Sequence, residues 1–206
     1  MRTYTLGGKL KLGDTWAQVS WLLPQQEVLL TEECRSRIAP LSVMPLVQEI
    51  SRLMDTTAAV AWVPGRGGER LPPDECFQQD YLPTKQRWAG GDGRVICLQL
   101  DGRWKSHRKN PTPAEKQRLI ASLEGAGCPV RALGQPMSLA ECVGALASCH
   151  CFIGVDSGMM HVANSVRCPR ILIRNRMFQI DTVYRGKGIM VTASAQTAVS
   201  LLASGL

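Results

Sequence analysis

The chain has 206 residues and a mass of 22.6 kDa, enough for one compact domain or two small ones. With 45% hydrophobic and 20% charged residues it can bury a core, which excludes a disordered chain; 5% aromatics argue against a stacking platform for single-stranded nucleic acid. The net charge of +7 is one-sided: residues 1–88 carry ten basic and ten acidic side chains, and residues 89–206 carry fourteen and seven, so an anionic partner is expected for the second half.

In chain order, a short strand is predicted at 2–6, followed by the loop GGKLKLGD and an amphipathic helix from about Thr15 to Leu23. A strand at 27–31, a helical stretch across 34–54 and a strand at 58–63 complete a strand–helix alternation, the grammar of an open α/β sheet. Residues 64–94 are rich in Gly, Pro and charge and read as a connector or a loop over a site, with one domain expected at 1–88 and a second at 89–206. The alternation restarts with the strand RVICLQL and the basic loop DGRWKSHRKNPTP. The following helix, from about Pro113 to Ala126, has Thr112 as its cap, Pro113 at its first position and Glu115 three residues after the cap. The strand PVRAL, the turn GQPM, a helix at 138–148, the strand CFIGV, a helix at about 158–166, the strand RILIR and a helix near 194–203 follow. This order implies parallel strands joined by right-handed crossovers.

No stretch approaches the ~18–20 apolar residues needed to span a bilayer, and the N-terminus lacks a secretory pattern, so a soluble cytoplasmic protein is expected. Eight cysteines without a CxxC pair do not form a disulfide or zinc framework. Cys149-His150-Cys151 has no second ligand pair at zinc spacing, so the thiols are read as reduced and structural, with no metal or cofactor site.

Parallel sheets bind ligands outside the C-terminal ends of their strands, which singles out three loops. In the third, Val155 is followed by Asp156-Ser157-Gly158 at a helix start, where Ser157 can cap the helix and Gly158 permits close approach to a ligand. The first-turn N–H groups there suit an anion. His161 lies one turn further along the same face, as a ligand contact or a core histidine. In the second, Lys105, Arg108 and their neighbours give residues 103–118 six basic side chains against Glu115, suited to a diphosphate or simply a solvated charge run. In the first, Gly13-Asp14 opens a helix; Asp14 either complements the helix dipole or serves as a general base.

The run CFIGVDSGMMHVANSVRCPRILI resembles the C-terminal signature of glycosyltransferase family 9, the ADP-heptose:lipopolysaccharide heptosyltransferases. Gly154, Asp156, Ser157, Gly158, His161, Ala163 and Pro169 match its GxDSGxxHxAxxxxxP pattern, and Gly13-Asp14 is similar to its N-terminal signature. The resemblance implies a GT-B architecture: two Rossmann-type lobes with parallel sheets, the first taking the acceptor and here reduced. By that likeness the protein is an inverting, metal-independent glycosyltransferase, moving a sugar from a nucleotide-diphosphate sugar to a hydroxyl acceptor. Asp14 would deprotonate the acceptor, Lys105 or a basic neighbour would stabilise the leaving diphosphate, and Asp156, Ser157 and Gly158 would hold its phosphates. A lobe this short also favours burying its edges in a homo-oligomer. Two rivals stand beside this reading: a non-catalytic remnant that binds a nucleotide or phosphosugar, and a basic nucleic-acid-associated protein.

Overall fold

The computed structural model describes residues 3–7, 11–25, 27–38, 42–56, 59–64, 68–70, 75–76, 80–91, 93–102, 110–173, 189–192 and 195–203. The chain divides into two compact units, Met1–Lys85 and Gln86–Leu206. Among the described residues no helix is long and apolar enough to cross a membrane.

In the first unit, β1 (Thr3–Thr5), β2 (Glu27–Thr31), β3 (Ala59–Val63) and β4 (Glu69–Arg70) form a parallel sheet in the order β3-β2-β1-β4. Helix α1 (Leu12–Leu22) follows β1, and α2 (Glu32–Ile38) and α3 (Val43–Leu53) lie between β2 and β3. The single helical stretch expected over 34–54 is therefore two helices. Ser42, which precedes α3, sits in the left-handed region at φ 56°, a conformation no continuing helix accommodates. The fully buried Trp16 anchors α1 in the core, while Tyr4 on β1 meets Trp21 edge-on at 5.9 Å and donates its hydroxyl to Gln25 Oε1 at 2.6 Å.

The expected connector carries structure that its composition hides. Glu69-Arg70 pairs in parallel with Tyr4 and Thr5 as β4. Residues 83–85 return to the first unit: Asp55 N–H donates to Pro83 O (3.1 Å) and Lys85 N–H to Leu53 O (2.7 Å). Residues 88–91 belong to the second unit, where Trp88 N–H donates to Val166 O (3.0 Å) and Trp88 Nε1 to Cys149 O (2.9 Å). A Cβ on Gly91 would lie 2.6 Å from His150 Cα and 2.7 Å from Cys149 O, so only glycine passes there.

The second unit has β5 (Ile96–Gln99), β6 (Val130–Ala132), β7 (Cys151–Val155), β8 (Arg170–Ile173) and β9 (Ile189–Thr192) in the parallel order β6-β5-β7-β8-β9. Among the described residues four helices accompany it: α4 (Pro113–Gly125), α5 (Leu139–Ser148), α6 (Gly158–Val166) and α7 (Ala195–Ala203). One sheet face packs Ile96, Leu98, Ile153, Val155 and Ile171 against Leu119 and Leu123 of α4 and Ala198 of α7. The alternate residues Cys97 and Phe152, also fully buried, face the other way, and the Cys97 thiol reaches Ala145 O of α5 at 3.8 Å. Burial on both faces explains why β7 reads as an unbroken apolar run and β8 as one after Arg170.

Helices α4 and α5 start on complete capping boxes. Thr112 Oγ1 accepts from Glu115 N–H (3.3 Å) and Ser138 Oγ from Glu141 N–H (3.2 Å), while each glutamate carboxylate accepts from the cap residue's N–H. Those N–H donors hold both carboxyls below their ordinary range. A depressed folded pKa contributes stability that is complete above the unfolded value and is lost as pH falls through the folded one. Thr112→Ala is therefore expected to cost about 1 kcal/mol at neutral pH. The gap from the parent should narrow as pH drops below the carboxylate range, measured by urea unfolding over a pH series. Gly91→Ala, which places a methyl against backbone, is expected to cost about 1–3 kcal/mol in the same assay.

Candidate functional site

Sheet order positions the loops. In the second unit β5 is the first strand, and its neighbours β6 and β7 lie on opposite sides, so the chain winds one way after β5 and the other way after β6. The C-terminal ends of β5 and β7 flank this switch point, the crevice where doubly wound sheets take ligands. The loops that meet there are the segment after β5, which enters residues 103–109, and Asp156-Ser157-Gly158 after β7. Lys105 and Arg108 lie outside the described residues.

The base of the basic segment is fixed. Gly102 N–H donates to Asn110 Oδ1 (2.9 Å) and Asn110 Nδ2 returns a bond to Gly102 O (3.3 Å), so one carboxamide closes the segment's two ends. A Cβ on Gly102 would lie 3.7 Å from Asp156 O, which puts the loop after β5 directly beside the loop after β7. Lys116 of α4 pairs with Asp101, and Gln99 Nε2 donates to Asp101 O (2.9 Å).

Asp156, Ser157 and Gly158 are each half-buried, and Gly158 opens α6. Ser157 occupies the N-cap place but does not cap with its side chain, which corrects the expectation for it: its hydroxyl donates to Gln99 Oε1. The Ser157 carbonyl instead accepts from Met160 N–H at 3.0 Å. The N–H groups of Gly158 and Met159 stand in the first turn, where a helix offers no acceptor of its own and the dipole favours an anion. His161, on the second turn, is 5% exposed. Behind it Arg170 of β8 is buried and bonds Asn164 of α6 and Cys168 O (3.1 Å), tying the far end of the helix to the sheet.

The first unit repeats the arrangement. β1 has β2 on one side and β4 on the other, so the loop after β1 opens at that sheet's switch point. Gly13 and Asp14 lie in the first turn of α1 there, Gly13 buried and Asp14 half-buried. Gln18, one turn beyond Asp14 on the same face, is 3% exposed and grips Gly7: its Oε1 accepts Gly7 N–H (2.8 Å) and its Nε2 donates to Gly7 O (2.9 Å). Gln18, Gln99 and Asn110 were not singled out by the sequence reading, because a lone carboxamide carries no pattern of its own.

All eight cysteines are free. Cys149 is pushed up to about 12 by its hydrogen bond with the Cys168 sulfur, with burial adding to the effect. Cys97 is raised chiefly by its hydrogen bond with Cys149, and Cys151 by burial. Among the described residues no group of three or more His, Cys, Asp or Glu could hold a metal ion. Cys128 is the one partly exposed cysteine. A thiol reagent at pH 8 is expected to label Cys128 rapidly and the other seven only on unfolding, and Cys128→Ser should remove the fast phase.

Residues 105–173 match the family model of glycosyltransferase family 9 (heptosyltransferase), a segment running from the basic loop to the end of β8. The chain is similar in structure to E. coli heptosyltransferase WaaC solved with ADP, at 12% identity and a TM-score of 0.51, covering 94% of this chain and 77% of that one. It is also similar to the iron-containing dodecameric glycosyltransferase TibC from enterotoxigenic E. coli, at 13% identity and a TM-score of 0.56, covering 91% of this chain and 61% of that one. No curated protein matches. Residues 105–173 of the second unit thus carry a glycosyltransferase family 9 segment, and the parallel α/β fold of the chain is similar to that of the heptosyltransferase structures.

Proposed function

We propose that the protein transfers a sugar from a nucleoside-diphosphate sugar to a hydroxyl acceptor, with inversion and without a metal ion. The observation that carries this reading is the meeting of the loops after β5 and β7 at the switch point of the unit that matches the family. The second unit is the donor side. The diphosphate lies at the N-terminus of α6, accepting from the N–H groups of Gly158 and Met159 beside Ser157, and Lys105 and Arg108 lend positive charge from the neighbouring segment. Asp156 is an acceptor and suits the hydroxyl groups of the donor better than its phosphate oxygens. His161, one turn further along α6, is a substrate-side residue.

The first unit is the acceptor side, with Gly13-Asp14 at its switch point and Asp14 as general base. The acceptor oxygen forms a bond to the anomeric carbon while the bond from that carbon to the diphosphate oxygen breaks on the opposite face, which inverts the centre. The proton of the hydroxyl passes to Asp14, and the electron pair leaves on the diphosphate. The charge that grows on the leaving group meets fixed N–H dipoles and basic side chains, where such a reaction gains most from electrostatics. Those side chains supply the charge that a divalent cation supplies elsewhere.

Thermal shift against ADP, UDP, GDP and CDP in metal-free buffer tests the donor side. A specific nucleotide at ~100 times its Kd stabilises by ~2.7 kcal/mol, a rise of about 2–4 °C at this size. A flat panel overturns the donor assignment. Asp14→Asn is expected to keep that shift and lower turnover by at least ~100-fold; turnover at the parent's rate removes Asp14 from the mechanism, and a parent that binds without turning over is a binding remnant.

A further inference from the structure

Gln99 closes β5 and pairs in register with Gly154 of β7. Both ends of its carboxamide are engaged: Nε2 donates to Asp101 O at 2.9 Å, on the chain leaving β5, and Oε1 accepts the hydroxyl of Ser157, at the mouth of α6. One side chain therefore spans the two loops that flank the switch point. Its second bond has a consequence for α6. A serine hydroxyl has one proton and rotates to suit its surroundings, and at an N-cap the ordinary use of its oxygen is to accept from the second or third N–H of the helix. Thr112 and Ser138 do this on α4 and α5. Ser157, in the same place on α6, does not.

We infer that Gln99 is a positioning residue of the donor site: by holding the Ser157 hydroxyl it keeps the first turn of α6 uncapped for the anionic group of the donor, and it ties that turn to Asp101 on the chain leaving β5. The inference rests on the donor-side reading above. Gln99 acts through Ser157 and touches no reacting atom. With Gln99 replaced by an apolar side chain of the same length, Ser157 is released, its oxygen turns to the N–H of Met159, and an incoming phosphate must displace an internal cap.

A double-mutant cycle separates this from a merely structural role. Calorimetric titration would use whichever of ADP, UDP, GDP or CDP gives the largest thermal shift, on the parent, Gln99→Met, Ser157→Ala and the double variant. Gln99→Met is expected to raise Kd about tenfold, ~1.4 kcal/mol. In the Ser157→Ala background, with no hydroxyl to release, the same change should alter Kd by less than about twofold. Hydrogen exchange at Met159 should slow in Gln99→Met without nucleotide, a readout that needs no ligand. Equal weakening in both backgrounds, an unchanged Kd in Gln99→Met, or unchanged exchange overturns the inference and leaves the donor assignment standing. A parent that binds none of the four nucleotides overturns both. Should Gln99→Met not fold, Gln99→Ala, which also releases the hydroxyl, takes its place with the same outcomes.

Discussion

The pairing of β5 with both β6 and β7 governs the second unit. A parallel strand placed between two later strands forces the chain to wind in opposite directions from its two sides, because each crossover keeps the right hand. In doubly wound sheets the helices part at the C-terminal end of such a strand, which leaves an opening there. Everything in the donor-side reading hangs on that opening. The same ordering governs β1, flanked by β2 and β4.

Three carboxamides answer the problem such openings create. A loop at a switch point has backbone groups that neither sheet nor helix satisfies, and leaving them buried and unpaired is costly. Gln18 satisfies both groups of Gly7, Asn110 both groups of Gly102, and Gln99 bridges Asp101 and Ser157. A carboxamide suits the task because it carries a donor and an acceptor at one end and no charge, so it holds a loop without competing for an anionic ligand.

Below the loops of the second unit, β5 and β7 are lined by apolar side chains and buried thiols. Buried thiols on β5, β7 and the ends of α5 and α6 bond to one another and to helix carbonyls, and burial and hydrogen bonding keep Cys97, Cys149 and Cys151 protonated.

The sequence by itself determined the α/β class and most element positions. Apolar runs such as CFIGV, and the cap Thr112-Pro113 with Glu115, are local signals with local causes. It also showed the match of Gly154, Asp156, Ser157, Gly158 and His161 to a family pattern, and the segment model agrees. It did not show β4, because Glu69-Arg70 carries no apolar alternation and becomes a strand only through β1 beside it. Nor did it show the break between α2 and α3, or the hydroxyl of Ser157 turned away from its own helix. Strand order, and with it the meeting of the loops after β5 and β7, was decided by tertiary structure alone. Periodicity records which face of a segment is buried, whereas the choice of neighbour depends on pairing between segments about 55 residues apart, as Gln99 and Gly154 are.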